Sequence, residues 1–572
     1  MLQIILILVI FVAIIIPMGK YLYHIAVGKH TFADPFFNRI DNALYRICGI
    51  DRKEMTWKQY AVAMLVTNAI MVFVGYLILR VQALLFLNPN GIGAMEPSLA
   101  FNTIISFITN TNLQHYSGES GLTYLSQMAV IIFMMFTSAA TGFSVAMAVV
   151  RGFAGKTKTM GNFYSDLIRI ITRVFLPLSI LVGLVLVSQG VVQNLSPNVT
   201  LQTIEGTFQD IAMGPIAALE SIKHLGTNGG GFLGANSTTP FENPNVFTNI
   251  LEMLSMMLLP GSCVVAFGYM VHNRKKEPSK VKGKKVLLGS EAKPIFAVML
   301  ILLVIGIGVC FAAESAGNPL LEHLGLSQSM GNMEGKEMRF GIAQSALFTT
   351  VTTAFTTGSI NNMHDTLTPI GGAVALVNMM LNLVFGGKGV GLLNMLLYVI
   401  LTVFICGLMV GRTPEYLSKK IEGKEMKLTA LGIIIHPLLI LSGTALAIAI
   451  PAGLAGITNP GYHGFTQVIY EFASAAANNG SGFEGLADNS VFWNISTGLV
   501  MFFGRYLSII ILLSIASSLM LKQPVNESLG TLKTDTRTFA IALLMVILIV
   551  AALTFFPALV LGPIAEHLTL WS

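Results

Sequence analysis

Residues 225–245, "LGTNGGGFLGANSTTPFENPN", set three consecutive glycines among Asn, Thr and Ser in a chain that is otherwise oily. The stretch holds no nucleophile with a base, no metal-ligand cluster and no phosphate loop. What it offers is backbone, because glycine reaches left-handed conformations and lets carbonyl groups approach a partner closely. The surrounding chain has 572 residues, 54% hydrophobic and 11% charged, with a mean hydropathy of +0.72. So few charges cannot cover a soluble surface. Runs such as 2–17 and 539–556 approach the ~20 residues a membrane helix needs, so the chain reads as a polytopic membrane protein. The first run has neither a basic flank before it nor a small-residue cleavage site after it, and reads as a retained helix. The four cysteines, Cys48, Cys263, Cys310 and Cys406, show no metal or redox spacing and read as buried thiols.

Apolar segments fall near 2–18, 59–86, 122–150, 167–192, 246–271, 294–313, 372–411, 429–451, 491–520 and 538–562. The loops between them alternate sharply in basic charge. Loop 19–58 carries seven Lys or Arg residues, loop 272–293 carries eight, and loops 87–121 and 452–490 carry none. Basic loops stay cytoplasmic, which accounts for the net charge of +6 without nucleic acid and predicts that both termini lie outside.

The four outer loops share one design: an apolar stretch too short to span, then a polar Gly/Asn/Thr cluster. They read "SLAFNTIISFITNTNLQ" (98–114), "IAALESIKHLGTNGGGF" (216–232), "AQSALFTTVTTAFTTGSINN" (343–362) and "FTQVIYEFASAAANNGSGF" (465–483). Recurrence about every 120 residues marks one supersecondary unit copied four times. Each unit is helix, re-entrant helix, polar loop, helix. Non-helical backbone at membrane depth persists only where protein buries it or where it lines a water-filled path. Four copies predict pseudo-fourfold symmetry, with glycine-freed carbonyls turned to an axis.

Carbonyl rings suit a dehydrated monovalent cation. The cluster residues are neutral: Thr109, Asn110, Thr111 and Asn112; Thr227, Asn228 and Gly229; Thr356, Thr357 and Gly358; Asn478, Asn479 and Gly480. A neutral oxygen cage holds K+ without trapping it, whereas divalent ions usually take carboxylates. Glu96, Glu119, Glu205, Asp210, Glu242, Asp365, Glu484 and Asp488 read as solvated acids that raise the cation concentration at the mouth. A re-entrant helix aiming its C-terminal end at the axis adds partial negative charge. Glu96-Pro97 and Gly214-Pro215 fit the starts of the first two.

"FITNTNLQHYSGE", "HLGTNGGGFLGANSTTPFENPN", "TTAFTTGSINNMHDTLTPIGG" and "SAAANNGSGFEGLADN" resemble the potassium-binding A-subunit family (KdpA) of the bacterial Kdp potassium-transporting ATPases, over essentially the whole chain. The resemblance implies an all-α polytopic fold of four helix–pore loop–helix repeats with one extra helix at each end. It also implies K+ as the bound substrate, and a catalytic P-type ATPase subunit, a C subunit and a small single-helix subunit as partners in a bacterial cytoplasmic membrane. ATP is then used by a partner, since this chain carries no DKTGT phosphorylation motif and no Walker A motif. "RGFAGKTKTM" (151–160) has Val150 where a P-loop would have its first glycine, and reads as a basic loop.

Charges inside a membrane are functional candidates because burying them is expensive. Lys388 lies in "NLVFGGKGVGLLN", where Gly386, Gly387, Gly389 and Gly391 should break the outward-facing half of the third repeat's second helix. That break resembles the intramembrane gating loop of the wider K+ transporter superfamily. Arg505 matches a family arginine below the filter, Arg412 one at the inner end of the third repeat, and Gln114 a residue that affects ion affinity. His115 and His224 sit beside the pore loops as hydrogen-bonding neighbours.

The chain therefore divides into an N-terminal helix and loop (1–58), repeats at 59–150, 151–274, 275–427 and 428–523, and a C-terminal helix (524–572). The expected function is K+ binding and translocation in an ATP-driven uptake complex. A self-sufficient Trk/Ktr-like transporter or channel is the alternative. An intramembrane enzyme would need a buried nucleophile with a base, or HExxH-like ligands, and the sequence offers neither.

Overall fold

The computed structural model describes residues 2–31, 34–155, 159–272, 288–409, 411, 413–525 and 532–572. Among them ten helices are long and apolar enough to cross a membrane: Leu2–Ala26, Trp57–Leu84, Tyr124–Ala154, Phe163–Ser188, Val246–His272, Ala292–His323, Val390–Met409, Gly423–Ala449, Val491–Leu521 and Arg537–Leu570. They follow the apolar segments of the sequence in order, with one correction. Segment 372–411 is two helices, Pro369–Leu381 and Val390–Met409, and residues 382–389 between them are not helical. The break therefore lies between an intact outer half and an intact inner half, not within the outer one. Thr368 caps the outer half by accepting from Gly371 N, Pro369 takes its first position, and left-handed Asn382 ends it.

Four shorter helices complete the repeats: Pro97–Ile108, Ile216–Leu225, Gly341–Ala354 and Tyr462–Ala477. At ~1.5 Å per residue each is too short for a ~30 Å hydrocarbon core. We call them pore helices 1 to 4. Glu96 caps the first, accepting from Leu99 N at 2.8 Å, with Pro97 behind it. In the second helix of each repeat 56% to 78% of the most apolar stretch is buried, against 22% to 44% in the first. The second helices thus form the inner wall and the first face outward.

Gln3 near one chain end lies 3.4 Å from Gln344 at the start of pore helix 3. Glu566 near the other end pairs with His463 at the start of pore helix 4, at 2.8 Å. Both termini therefore lie on the face where the pore helices begin. At the opposite face a short helix, Asp34–Ile47, is locked to the second repeat by buried Arg173, which engages Asp34 and Asp41.

The all-α expectation holds: among the described residues the paired strands form two small hairpins, Val199–Gln202 with Phe208–Ile211 and Glu415–Tyr416 with Lys419–Lys420. Two expectations need amendment. Cys263 and Cys310 are buried, but Cys48 is exposed. Glu242 and Asp365 are not solvated acids but buried ones; Glu242 is held by the pore-loop contacts described next, and Asp365 by His463 at 3.1 Å and by Gln467 Nε2, which donates to it at 2.9 Å. Residues 273–287, which carry most of the basic loop 272–293, lie outside the described residues, as do Lys156, Lys158 and Arg412.

Candidate functional site

Each pore helix runs into a loop of the same local geometry. The N–H groups of Thr111, Asn228, Thr357 and Asn479 donate to the carbonyl five residues back, on Ser106, Lys223, Thr352 and Ser474, at 2.9, 2.9, 2.8 and 3.0 Å. The residue before each has positive φ: Asn110 63°, Thr227 40°, Thr356 52° and Asn478 55°. So does the residue after each: Asn112 58°, Gly229 99°, Gly358 84° and Gly480 105°. Asn tolerates this region and Gly prefers it, while Thr227 and Thr356 are strained there. Alternating the sign of φ residue by residue turns successive carbonyls to one side of the chain, the arrangement of a carbonyl-lined ion path.

The four loops meet. A Cβ on Gly229 would collide with the Thr357 carbonyl oxygen, one on Gly358 with that of Asn479, and one on Gly480 with that of Thr111. Glycine is required at this position by close approach as well as by φ. Side chains tie the loops in ring order. Asn110 Nδ2 donates to Thr227 O at 2.7 Å, and Asn228 Nδ2 to Asn110 Oδ1 at 2.8 Å. His224 Nε2 bonds Ser359 Oγ at 2.9 Å, joining loops 2 and 3. Asn479 Nδ2 donates to Thr352 O at 3.0 Å, joining loops 4 and 3. Asn478 Nδ2 donates to Thr111 Oγ1 at 3.0 Å and closes the ring. Thr109 bonds Thr111 within its own loop. Gln114 braces loop 1 to loop 2, accepting from Gly231 N at 2.8 Å and donating to Gly231 O at 3.1 Å.

Several oxygens at this ring are left over. Thr227 Oγ1, Asn228 Oδ1, Thr352 Oγ1, Thr357 Oγ1 and both amide atoms of Asn112 are buried without a hydrogen-bond partner among the described residues. An unpaired buried oxygen costs ~1–3 kcal/mol, and a cation with four-sided neutral coordination answers that deficit. Asn112 stands where the other loops have glycine, so the ring is not fully fourfold.

The broken helix lies directly under the ring. Phe385 stacks on Phe355 with centroids 5.0 Å apart, and Gly386 N donates to Ala354 O at 3.0 Å. A Cβ on Gly387 would lie 3.1 Å from Thr227 Oγ1, and one on Gly389 would strike Ala146. Lys388 is buried, with Nζ 3.5 Å from Thr227 O. Arg505, also buried, lies against Gly142 and shares a cavity of about 70 Å³ with Asn382, Asn394, His436 and Asn478. That cavity extends to Thr554 and Phe555 of the last helix. No carboxylate among the described residues lies within 4.0 Å of either cation. Thus the structure brings the four clusters, Gln114, Lys388 and Arg505 to one axis, and Arg412 falls outside the described residues.

Sequence reasoning missed the ionic groups behind the loops. Lys223 is in pore helix 2 and fully buried, 2.6 Å from Glu220 and 3.4 Å from Glu242. Glu242 accepts from Leu233 N at 2.7 Å and so holds the glycine-rich loop. Glu314 and Lys336 form a second fully buried pair at 2.7 Å. His115 bonds Asn494 at 2.7 Å and Glu471 at 3.2 Å, with Asp488 at 3.8 Å. Burial lowers its pKa, but Asp488 and Glu471 outweigh that and push it up to about 9. The Glu and His residues inside pore helices 2 and 4 were the available signal.

Residues 5–568 match the family described as potassium-transporting ATPase A subunit. Among curated proteins, a potassium-transporting ATPase potassium-binding subunit of Clostridium acetobutylicum is 57% identical over 570 residues, covering 100% of both chains. A protein of the same description from Geobacillus kaustophilus is 53% identical, covering 99% of this chain and 98% of its own. Among solved structures, the potassium transporter TrkH from Vibrio parahaemolyticus aligns at 14% identity with a TM-score of 0.49, over 88% of this chain and 98% of its own.

Proposed function

This chain belongs to the family of potassium-transporting ATPase A subunits, and on that premise we propose that it is the K+-selective subunit through which an ATP-driven uptake complex takes K+ from the extracytoplasmic side. The observation that carries the reading is the ring of four matched loops with its unpartnered neutral oxygens. In such a ring carbonyls and hydroxyls replace the hydration shell of a large monovalent cation. The filter residues are then Thr109 to Asn112, Thr227 to Gly229, Thr356 to Gly358 and Asn478 to Gly480, with Gln114 tuning affinity by holding loop 2.

Below the ring, Lys388 and Arg505 place two buried basic side chains at the inner end of the path. They act as the gate and barrier of a blind vestibule, and a largely apolar cavity into which Asn382, Asn394 and Asn478 reach lies beside Arg505. Arg412 is assigned to the same inner barrier. The energy comes from a catalytic P-type subunit that uses ATP, with a C subunit and a single-helix subunit completing the complex in a bacterial cytoplasmic membrane. Both termini and the pore-helix starts face outside, and the repeats divide at residues 58, 150, 274, 427 and 523.

The test is ATP hydrolysis by the intact purified complex, titrated with K+ and Na+. K+ should stimulate at concentrations at least about a hundredfold lower than Na+. Equal stimulation by the two ions, or hydrolysis indifferent to both, would overturn the reading.

A further inference from the structure

Seven residues before the first left-handed residue of each loop stand Thr103, Glu220, Thr349 and Glu471. The two glutamates belong to pore helices 2 and 4, diagonal to each other in the ring. Both are buried, 0% and 1% exposed, in chemistry that repeats 1 and 3 lack at this position.

Each anchors a cluster whose charges can be counted. Behind loop 2, His224 Nδ1 faces the Glu220 backbone carbonyl at 2.9 Å and must carry the proton there. Its Nε2 bonds Ser359 Oγ at 2.9 Å and lies 3.3 Å from Glu252 Oε2, so one proton is held between imidazole and carboxyl and the two together add no net charge. Glu220 and Glu242 share one cation, Lys223, at 2.6 and 3.4 Å; burial raises both carboxyls above the usual carboxylate range, and Glu242 raises Glu220 further. Behind loop 4, Glu471 and Asp488 flank one imidazolium, His115. In each cluster the acids thus outnumber the bases.

We propose that Glu220 and Glu471 set the K+ affinity of the filter from behind it, as positioning residues that supply the counter-charge its neutral oxygens lack. The field is twofold, along the diagonal from loop 2 to loop 4, and not fourfold. A dehydrated cation in a purely neutral ring has no anion to balance it. Seven residues at ~1.5 Å rise place each carboxylate about 10 Å along its helix from the loop. Over that distance, in a protein medium of effective dielectric ~20, one charge changes cation occupancy about tenfold. The proposal rests on the reading of the four-loop ring as the K+ site.

The test uses the intact complex and follows K+-stimulated ATP hydrolysis against K+ concentration. Glu220→Gln and Glu471→Gln should each weaken apparent K+ affinity about tenfold, and the double variant about a hundredfold, with the rate at saturating K+ kept. Glu471→Asp, which keeps the charge, should restore most of the affinity. Thr103→Val, at the matched uncharged position, should leave it unchanged; an equal loss there would assign the effect to packing and overturn the proposal. If the glutamine variants fail to assemble, Asp488→Asn carries the test, because its side chain reaches the surface; it should cost affinity about threefold, and no change would overturn the proposal. Gly229→Asp is run in parallel. If it alters affinity and the carboxylate variants do not, this inference fails while the filter stands. If Gly229→Asp also has no effect, the filter reading itself fails.

Discussion

Lys388 Nζ lies 3.5 Å from the carbonyl oxygen of Thr227, the first left-handed residue of the second pore loop. A basic side chain of the protein thus sits at the inner threshold of a path read as a route for cations. It is carried on a segment that has no helix to hold it, between Leu381 and Val390.

If that segment is the gate, neutralising or shortening it should change passage more than binding. Lys388→Met, or deletion within residues 385–391, is expected to change the maximal K+ transport rate at least about threefold while apparent K+ affinity stays within about twofold. Rate and affinity measured on the same reconstituted samples decide the matter. Wild-type rates in both variants would reduce the segment to a kink.

Arg505 tests whether the vestibule is blind. At an effective dielectric of ~20, two like charges ~4 Å apart repel by roughly 4 kcal/mol, several times the thermal energy. Arg505→Met keeps much of the bulk and removes the charge. ATP-driven accumulation should drop while ATP-independent K+ flux rises, and Arg505→Lys should keep more of the barrier. K+ flux through proteoliposomes with and without ATP reads both quantities. Normal pumping with no added leak would leave the arginine a structural role.

At Gly229, backbone conformation and close approach coincide: φ is 99°, and a Cβ would collide with the Thr357 carbonyl. Gly229→Asp also adds a carboxylate to a neutral ring. Apparent K+ affinity should fall at least about tenfold, or ~1.4 kcal/mol, and discrimination against Na+, Rb+ and NH4+ should loosen. Ion-competition assays on a well-expressed variant would show unchanged values if the ion binds elsewhere.

His115 gives the protein a pH dependence. His115 is raised from 6.5 to about 9 by Asp488 and Glu471 acting against burial. Because the folded value lies above the unfolded one, its stabilisation is present in full below about pH 6.5 and is lost as pH rises through about 9. The thermal midpoint of the purified complex should therefore decline between pH 7 and 10, and His115→Gln should be less stable at pH 7 with a flatter decline. Parallel curves for the two proteins would remove His115 as the titrating group.

The spans and the four clusters were legible because both are periodic. Apolar runs repeat at bilayer length, and the Gly/Asn/Thr clusters repeat at one spacing, so each copy vouches for the others. Lys388 and Arg505 stood out as charges in apolar segments. Glu220, Glu242 and Glu252 did not, because each lies in a different kind of element and only folding brings them around Lys223. Glu314 and Lys336 escaped notice for the same reason, 22 residues apart by number and fully buried together. The helix break was legible in composition but not in position, since Thr368 and Pro369 start the outer half before the apolar run itself suggests.

Asn112 has the backbone of the glycines opposite it but not their bareness. In a channel of four identical chains such an exception would be copied four times over, and the bore would have to tolerate all of them. One polypeptide that writes the ring out longhand escapes that arithmetic. Each quarter can drift alone, so that a mutation alters a single wall of the passage and selection meets it at a quarter of its full dose.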